Sequence, residues 1–400
     1  MKSWKANYTA ILIAETLAMI GFGLSIPIIP LFLEEEIGVT DPVKLKAWVG
    51  IINSCTAVTM AIFAPIWGRL ADTFSRRAML LRAMFGGALI ISFMAFVNSP
   101  WQLLVLKTIQ GCLTGTVAAA TVLIAGITPA VQVAFALGLL QTAVAVGNSL
   151  GPLVGGLLSD FFGFRIAFFS TGMFLGLGGL IVLKWVDRDT PSAIEGKPPK
   201  LSFIPDIKPI VSSPLLVSLL FVTFGVQAAN SVASPMLPLF LKSLVQSVSS
   251  ESYYIASTTG VILGVGAAFA ALAAVLSGKL STRIGYWTTL IFCLAAGALV
   301  TVPQTFVSNI PQLMVLRALS SFFIGGTMPV INAIIAVSSD KRHQGTIYGF
   351  ISSIAFVGAA LGPMIGSAAA MLSYRAVFMA SAMILGLSAL ETVRRRKQNR

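Results

Sequence analysis

Long apolar stretches separated by short polar segments run along the whole chain. Twelve of them reach roughly 20 residues, the length at which an α-helix crosses the hydrocarbon core of a bilayer. They lack the strict alternation of apolar and polar residues that is typical of membrane β-barrel strands. The pattern predicts twelve membrane-spanning helices near residues 8–33, 47–67, 78–98, 101–124, 133–158, 165–185, 213–241, 253–277, 286–307, 311–338, 345–371 and 375–393.

Composition and charge agree with an integral membrane protein. Hydrophobic residues make up 56% of the chain and charged residues 10%, whereas soluble domains carry about 25% charged residues. With the N-terminus in the cytoplasm, most Lys and Arg residues fall on the cytoplasmic side, as the positive-inside rule requires. We therefore expect a protein of a bacterial-type inner membrane with both termini cytoplasmic. The net charge of +13 is spread over several loops, which argues against nucleic-acid binding.

A glycine pattern, G-x8-G-x3-G-P-x2-G-G, occurs twice at an offset of 211 residues. The first copy consists of Gly138, Gly147, Gly151, Pro152, Gly155 and Gly156. The second consists of Gly349, Gly358, Gly362, Pro363, Gly366 and Ser367.

Further pairs of segments repeat at offsets of 208 to 210 residues. Pro27–Leu33 returns as Pro235–Leu241, and Lys107 corresponds to Arg317. The repeats predict two homologous six-helix halves, 1–186 and 211–400. Residues 187–210 lack a long apolar run and are predicted to form a cytoplasmic linker.

Three motifs carry a resemblance to a known family. The segment Gly68–Arg77 resembles the signature between spans 2 and 3 of the major facilitator superfamily. The glycine pattern in span 5 resembles the antiporter signature of its drug:proton antiporters. Gly21, Pro27 and Pro30 resemble the span-1 signature of the twelve-span branch, and residues 48–82 look like those of MdtG-type multidrug exporters. The resemblance implies an all-α membrane protein of two pseudo-symmetric six-helix bundles that works by alternating access, and we expect a monomer.

The resemblance also implies a cytoplasmic latch between the halves, which releases during transport. The latch residues would be Gly68, Asp72, Arg76 and Arg77. The alternative is a basic anchor that only sets topology. Ser75 stands where the signature has glycine, so a turn with positive φ is disfavoured there. Thr282 replaces Asp72 in the second half, where we expect a weaker latch.

The spaced glycines leave one face of each helix without side chains, so that another helix can approach closely. Pro152 and Pro363 are expected to bend these helices. One interpretation is plain helix packing. The other is a seam that seals the outer side in one state and slides in the other, and for this interpretation the resemblance implies exchange of two substrates.

Charged residues inside the membrane are costly and therefore suggest function. Glu15 is the only acidic residue predicted well inside a span, and a buried carboxyl group can bind and release a proton near neutral pH. Residues 107–111 resemble the R-x-x-q-G signature associated with proton coupling, with Lys107 in place of arginine, and Arg317 holds the matching position in the second half. The alternative for all three is that the charge snorkels to the membrane surface; for Glu15, a further alternative is pairing with a structural cation.

The fold of this family implies a central cavity lined by spans 1, 4, 7 and 10. Its polar and soft residues would be Met19, Phe22, Ser25, Gln110, Thr114, Gln227, Asn230, Ser231, Ser320, Ser321 and Asn332, with Asn53, Thr56 and Gln141 from spans 2 and 5. Such an apolar cavity suits lipophilic or amphipathic compounds better than sugars. Each of these residues alone is also compatible with ordinary helix packing.

Other chemistry finds little support in the sequence. There is no phosphate-binding G-x-x-x-x-G-K-[ST] loop, and the single histidine, His343, cannot form a metal site or catalytic triad alone. We expect no cofactor, no metal and no enzyme activity. The leading hypothesis is proton-driven drug efflux. The alternatives are import or facilitated passage of a small metabolite, and a membrane sensor or assembly partner that transports nothing.

Overall fold

The computed structural model describes residues 4–73, 75–129, 132–187, 213–246, 254–338 and 344–398. Every regular element in this part of the chain is helical. Twelve segments are long and apolar enough to cross a membrane. The prediction of twelve spans is therefore confirmed.

The structure divides into two compact units, and unit 1 comprises Met1–Ala193 and Leu237–Ala268. Its helices are α1 (Trp4–Leu24), α2 (Ile29–Leu31), a π-helical turn (Phe32–Glu36), α3 (Pro42–Thr73), α4 (Arg76–Met94), α5 (Pro100–Leu113), α6 (Thr116–Ile127), α7 (Val133–Phe162), α8 (Phe164–Trp185) and, from the second half of the sequence, α10 (Leu237–Gln246). Helix α1 packs on α7 and α8 and forms the centre of this unit.

Unit 2 comprises Ile194–Met236 and Phe269–Arg400. Its helices are α9 (Pro214–Ala233), α12 (Tyr286–Thr301), α13 (Ile310–Gly325), α14 (Thr327–Ser338), α15 (Gln344–Leu372) and α16 (Tyr374–Gln398), with 3-10 turns at Ser234–Met236 and Val302–Phe306. Helix α11 (Ile255–Ile284) begins in unit 1 and ends in unit 2. An apolar core of Leu, Val and Ile side chains joins α9, α12, α14 and α15 in unit 2.

Spans 4 and 10 begin with the same kind of helix cap. Ser99 caps α5 by accepting a hydrogen bond from the backbone N–H of Gln102 at 3.4 Å. Asn309 caps α13 by accepting one from the N–H of Gln312 at 2.9 Å. A proline follows each cap within the first two positions, where its missing N–H costs no helical hydrogen bond.

Spans 4 and 10 are broken, although the sequence predicted continuous helices there. The first break separates α5 from α6 at Thr114 and Gly115, and Gly115 has φ +126°. The second separates α13 from α14 at Gly326, 211 residues later. Broken spans are typical of transporters, in which helix ends inside the membrane line the substrate path.

Ser75 shows how the loop before α4 accommodates the replaced glycine. Its φ of −74° lies in the ordinary extended region, and its Oγ accepts a hydrogen bond from Ala78 N at 3.1 Å. Serine therefore acts as a helix cap here, and no positive φ is required.

The division into units does not follow the predicted halves, because Leu237–Ala268 groups with the first half. Of the predicted linker, 187–210, only Asp187 lies within the described residues, and Asn7 Nδ2 donates a hydrogen bond to its Oδ2 at 3.3 Å. Pro152 and Pro363 lie inside the continuous helices α7 and α15.

Candidate transport site

Glu15 occupies the centre of unit 1. It is fully buried, and it is the only fully buried Asp or Glu in the part of the chain that the structure describes. Thr116 Oγ1 donates a hydrogen bond to Glu15 Oε1 at 2.8 Å. The other carboxyl oxygen, Oε2, is buried without a hydrogen-bond partner.

The break in span 4 explains why this carboxyl group has a polar neighbour in an apolar bundle. Thr116 is the first residue of α6, directly after Gly115. The first N–H groups of a helix have no partner within the helix, and the helix dipole places partial positive charge there. The break thus brings a hydroxyl donor and a positive helix end to Glu15.

The two other candidate coupling residues are also buried. Lys107 on α5 in unit 1 and Arg317 on α13 in unit 2 are each 6% exposed. Neither forms an ion pair with any carboxylate in the described residues. The structure therefore brings neither of them into an ion pair with Glu15.

The candidate cavity residues fall into three groups by exposure. Met19, Ser25, Gln110 and Thr114 are buried; Phe22, Asn53 and Gln227 are half-buried; Gln141, Asn230 and Asn332 are exposed. Two of these side chains donate hydrogen bonds to backbone carbonyl groups three or four residues earlier in the chain: Ser25 Oγ donates to Phe22 O at 3.0 Å, and Asn53 Nδ2 donates to Val49 O at 2.8 Å.

Met19 and Gln227 are equivalent positions of the repeat and serve as packing contacts. Met19 lies against Gly147 of α7, and Gln227 lies against Gly358 of α15. Gln110 differs from them, because its side-chain Oε1 is buried without a hydrogen-bond partner.

The glycine stripe of α7 packs against α1. A Cβ atom at Gly151 would lie 2.7 Å from Gly23 Cα, and one at Gly155 would lie 2.6 Å from Leu24 Cα. The stripe of α15 packs against α9 in the same way, and a Cβ at Gly362 would lie 2.6 Å from Ser231 Cβ. Each stripe packs within its own unit, that of α7 in unit 1 and that of α15 in unit 2.

Two other glycines of the motif behave differently. Gly156 faces α11, where a Cβ would lie 2.6 Å from the carbonyl carbon of Ala256. Gly138 is exposed and has nothing within 4 Å of its Cβ position. Close approach thus requires Gly156 but not Gly138.

The predicted cytoplasmic cluster is partly described. The side-chain environment of Gly68 and Asp72 lies outside the described residues, although both positions belong to α3. Arg77 Nη2 donates to Leu183 O at 2.5 Å and Nε to Val182 O at 3.4 Å, and Arg76 approaches Gly126 near the end of α6. Cations at helix C-termini stabilise the last carbonyl groups.

Sequence reasoning missed Thr116 and also the contact of Arg82 with Trp67. The Arg82 guanidinium lies 3.5 Å from the centroid of the Trp67 ring, and Trp67 Nε1 donates to Cys112 O at 2.6 Å. The signal for Thr116 was present as Thr-Gly-Thr at 114–116 and Gly-Gly-Thr at 325–327, two small-residue runs at equivalent positions. Nothing in the sequence singled out the stacking of Arg82.

Comparisons with known proteins agree with this architecture. The family model of the Major Facilitator Superfamily matches residues 11–303 and 219–399. Multidrug resistance protein MdtG of Proteus mirabilis is 34% identical over 385 residues, which cover 96% of this chain and 94% of the relative. The protein of the same name from Enterobacter lignolyticus is 34% identical over 392 residues, covering 98% and 92%.

Solved transporter structures share the fold at low sequence identity. A bacterial homolog of the human lysosomal transporter Spinster, in an inward-facing occupied conformation, has a TM-score of 0.80 at 15% identity, covering 98% of this chain and 97% of that one. The nucleoside transporter NupG has a TM-score of 0.77 at 14% identity, covering 96% and 98%.

Proposed function

This chain belongs to the major facilitator superfamily, and from that premise we propose that it exports lipophilic or amphipathic drugs in exchange for protons, by alternating access. It is an integral membrane protein and a secondary transporter. Drug export is supported by two relatives that are named multidrug resistance proteins and match nearly the full chain. The candidate cavity residues are uncharged and offer only scattered hydrogen-bonding groups in apolar spans, which suits the same class of substrate.

The observation that carries the coupling proposal is the state of the Glu15 carboxyl group. One oxygen is bound to Thr116, and the other is buried without a partner. A buried charge without an ion-pair partner is costly, and binding of a proton removes that cost. The Glu15 carboxyl group therefore favours binding a proton when protein encloses it and releasing the proton when water reaches it.

We assign Lys107 and Arg317 to the coupling machinery rather than to membrane-surface snorkelling. Both are buried in protein, whereas a snorkelling side chain carries its charged end to water. Charged side chains buried within membrane spans are costly and mark proton or substrate pathways. We further propose a monomer in the inner membrane of a bacterial-type cell, with both termini cytoplasmic, which the distribution of Lys and Arg supports.

The test begins with a growth screen. Cells that overexpress the protein are compared with empty-vector cells on a panel of toxic lipophilic compounds at two external pH values. Protection that is stronger at the more acidic external pH supports proton-driven export. Increased sensitivity with accumulation of the compound would overturn export in favour of import.

A compound found in that screen then serves as the probe for Glu15→Gln in liposomes. We expect the variant to lose export driven by a pH gradient while it still binds the compound, because glutamine keeps the shape but cannot exchange a proton. Glu391→Gln is the matched control, since Glu391 lies in the last turns of α16 and pairs with Arg394 and Arg395. Full gradient-driven export by Glu15→Gln would remove Glu15 from the mechanism.

A further inference from the structure

Three consecutive carboxylates form the turn that follows span 1. Glu34, Glu35 and Glu36 occupy the π-helical segment Phe32–Glu36. Lys242 on α10 meets the first two of them: its Nζ donates to Glu35 Oε1 at 2.8 Å and lies 3.1 Å from Glu34 Oε2, an ion pair without hydrogen-bond geometry. All of these residues lie in unit 1.

The third carboxylate is engaged elsewhere. Arg165, at the start of α8, donates to Glu36 Oε2 at 3.1 Å, to Ala95 O at 2.9 Å and to Asn98 Oδ1 at 3.1 Å. Arg165 thereby fixes the acidic turn against the end of α4. Glu34 and Glu35 are left to Lys242.

Glu34 and Lys242 are equivalent positions of the internal repeat. Each follows directly on the repeated segment Pro-Leu-Phe-Leu, and the offset of 208 residues is that of the repeat itself. Two identical charges at this contact would repel each other. The two copies instead carry opposite charges and attract.

The ion pairs at this end of unit 1 join three separate segments of the chain. Glu34, Glu35 and Glu36 follow span 1, Arg165 lies in the first turn of α8, and Lys242 lies on α10. The chain after span 7 is thus linked by charge to the chain after span 1.

Close packing continues the contact along α7 and α11. Asp160 Oδ2 accepts a hydrogen bond from Ser257 N, in the first turn of α11, at 2.7 Å. Ser149 Oγ donates to Gly264 O at 2.7 Å, and a Cβ at Gly260 would lie 3.1 Å from Leu153 Cα. Helix α10 and the first part of α11 are therefore held to the first half of the sequence by ionic contacts at α10 and by glycine packing along α11.

We propose that Glu34, Glu35 and Lys242 form a charge lock that holds the outer end of the transporter closed and opens once in every transport cycle. The proposal rests on the alternating access proposed above, because a lock has meaning only if this end opens. The three side chains are 23% to 47% exposed, and partly exposed ion pairs are weak. Weakness suits this role, since a stronger contact would trap one state.

The first measurement is the reactivity of a cysteine placed in the seam. Leu153→Cys, in a protein whose native Cys55, Cys112 and Cys293 are replaced by alanine, is treated with a maleimide in detergent, where both ends of the protein are accessible. We expect Lys242→Glu to raise the labelling rate about fivefold, which corresponds to about 1 kcal/mol in the balance of the two states.

Charge reversal distinguishes the lock from a general disturbance of the fold. The triple variant Glu34→Lys, Glu35→Lys, Lys242→Glu restores the attraction with opposite signs, so we expect the labelling rate to return to within twofold of the starting protein. Lys44→Glu is the matched control, because Lys44 is exposed in the first turn of α3 and no ion pair of its side chain occurs among the described residues. We expect no change from it.

A disulfide provides an independent readout. In the same background without native cysteines, Glu35→Cys together with Lys242→Cys is oxidised. We expect transport to stop and to return with reductant. Full transport by the crosslinked protein, or equal labelling rates in Lys242→Glu and the reversed triple variant, would overturn the lock. The labelling measurement involves neither Glu15 nor a pH gradient, so the lock can fail while proton coupling stands.

Discussion

The two copies of the glycine motif use one packing solution and different chemistry. In the first copy, α7 lies against α1 along Gly147, Gly151 and Gly155. In the second copy, α15 lies against α9 along Gly358, Gly362 and Gly366. Contacts of backbone against backbone leave no room for side chains, so both copies kept the glycines.

The two copies differ in the buried polar residues at the equivalent positions. The position equivalent to Glu15 is Thr223, which is fully buried and donates to Leu219 O of its own helix at 2.8 Å. The position equivalent to Thr116 is Thr327, which donates to Ile324 O at 2.6 Å. The second copy thus has the same broken span but no carboxyl group beside it. The comparison indicates that the duplicated frame carries the structure, whereas one copy carries the candidate proton site.

The largest expected effect comes from filling the shared packing face. We expect Gly151→Val and Gly362→Val each to destabilise the protein by about 3 kcal/mol, because a Cβ would lie 2.7 Å from Gly23 Cα in one case and 2.7 Å from Ala228 O in the other. Loss of folded protein in detergent size-exclusion chromatography and a lower thermal midpoint would show it. Gly138→Ala, with open space around it, should change neither. Tolerance of valine in one copy only would mean that the packing is not shared.

The hydroxyl groups beside the two breaks should differ sharply in their effect on transport. We expect Thr116→Val to reduce export driven by a pH gradient about tenfold, because loss of a hydrogen bond to a charged group costs about 1.5–3 kcal/mol. Thr116→Ser should retain most of the activity. The matched control is Thr327→Val, since the Thr327 hydroxyl donates to Ile324 O in the last turn of α13 and not to a carboxyl group, and it should change the rate less than twofold. Equal losses in both copies would show that the hydroxyl groups serve helix geometry and not Glu15.

The smallest effects concern the loops before α4 and α12, where Ser75 and Gly285 are equivalent positions. Gly285 has φ +89° and ψ 145°, a conformation nearly restricted to glycine, and Ser75 caps its helix in an extended conformation. We expect Gly285→Ala to cost about 2 kcal/mol through backbone strain and Ser75→Ala about 1 kcal/mol through the lost cap. Thermal midpoints of the purified variants measure both. A Gly285→Ala protein as stable as the unaltered one would contradict the strained conformation.

Much of the fold followed from the sequence, because long apolar runs and repeated glycines have few structural solutions in a membrane. The twelve spans, the repeat and the close glycine faces needed only local pattern and spacing. The breaks in spans 4 and 10 were not predicted, since glycine in an apolar run is also compatible with a continuous helix. The division of α11 between two units also has no sequence signal, because it depends on contacts made by distant segments.

The candidate site likewise has one residue that the sequence could predict and one that it could not. Glu15 stood out from the sequence because a carboxylate in an apolar span is costly wherever the span packs. Its partner Thr116 lies about 100 residues away along the chain, and no local pattern links the two.

The sequence by itself determined that the chain spans a membrane, that it is duplicated, and that one acid lies within it, because hydrophobic length, repetition and charge are properties of the chain alone. Only the tertiary structure decided which groups meet: Thr116 with Glu15, and Lys242 with Glu34 and Glu35. Hydrogen bonds and ion pairs depend on distances of a few ångströms between remote segments, and packing alone sets those distances.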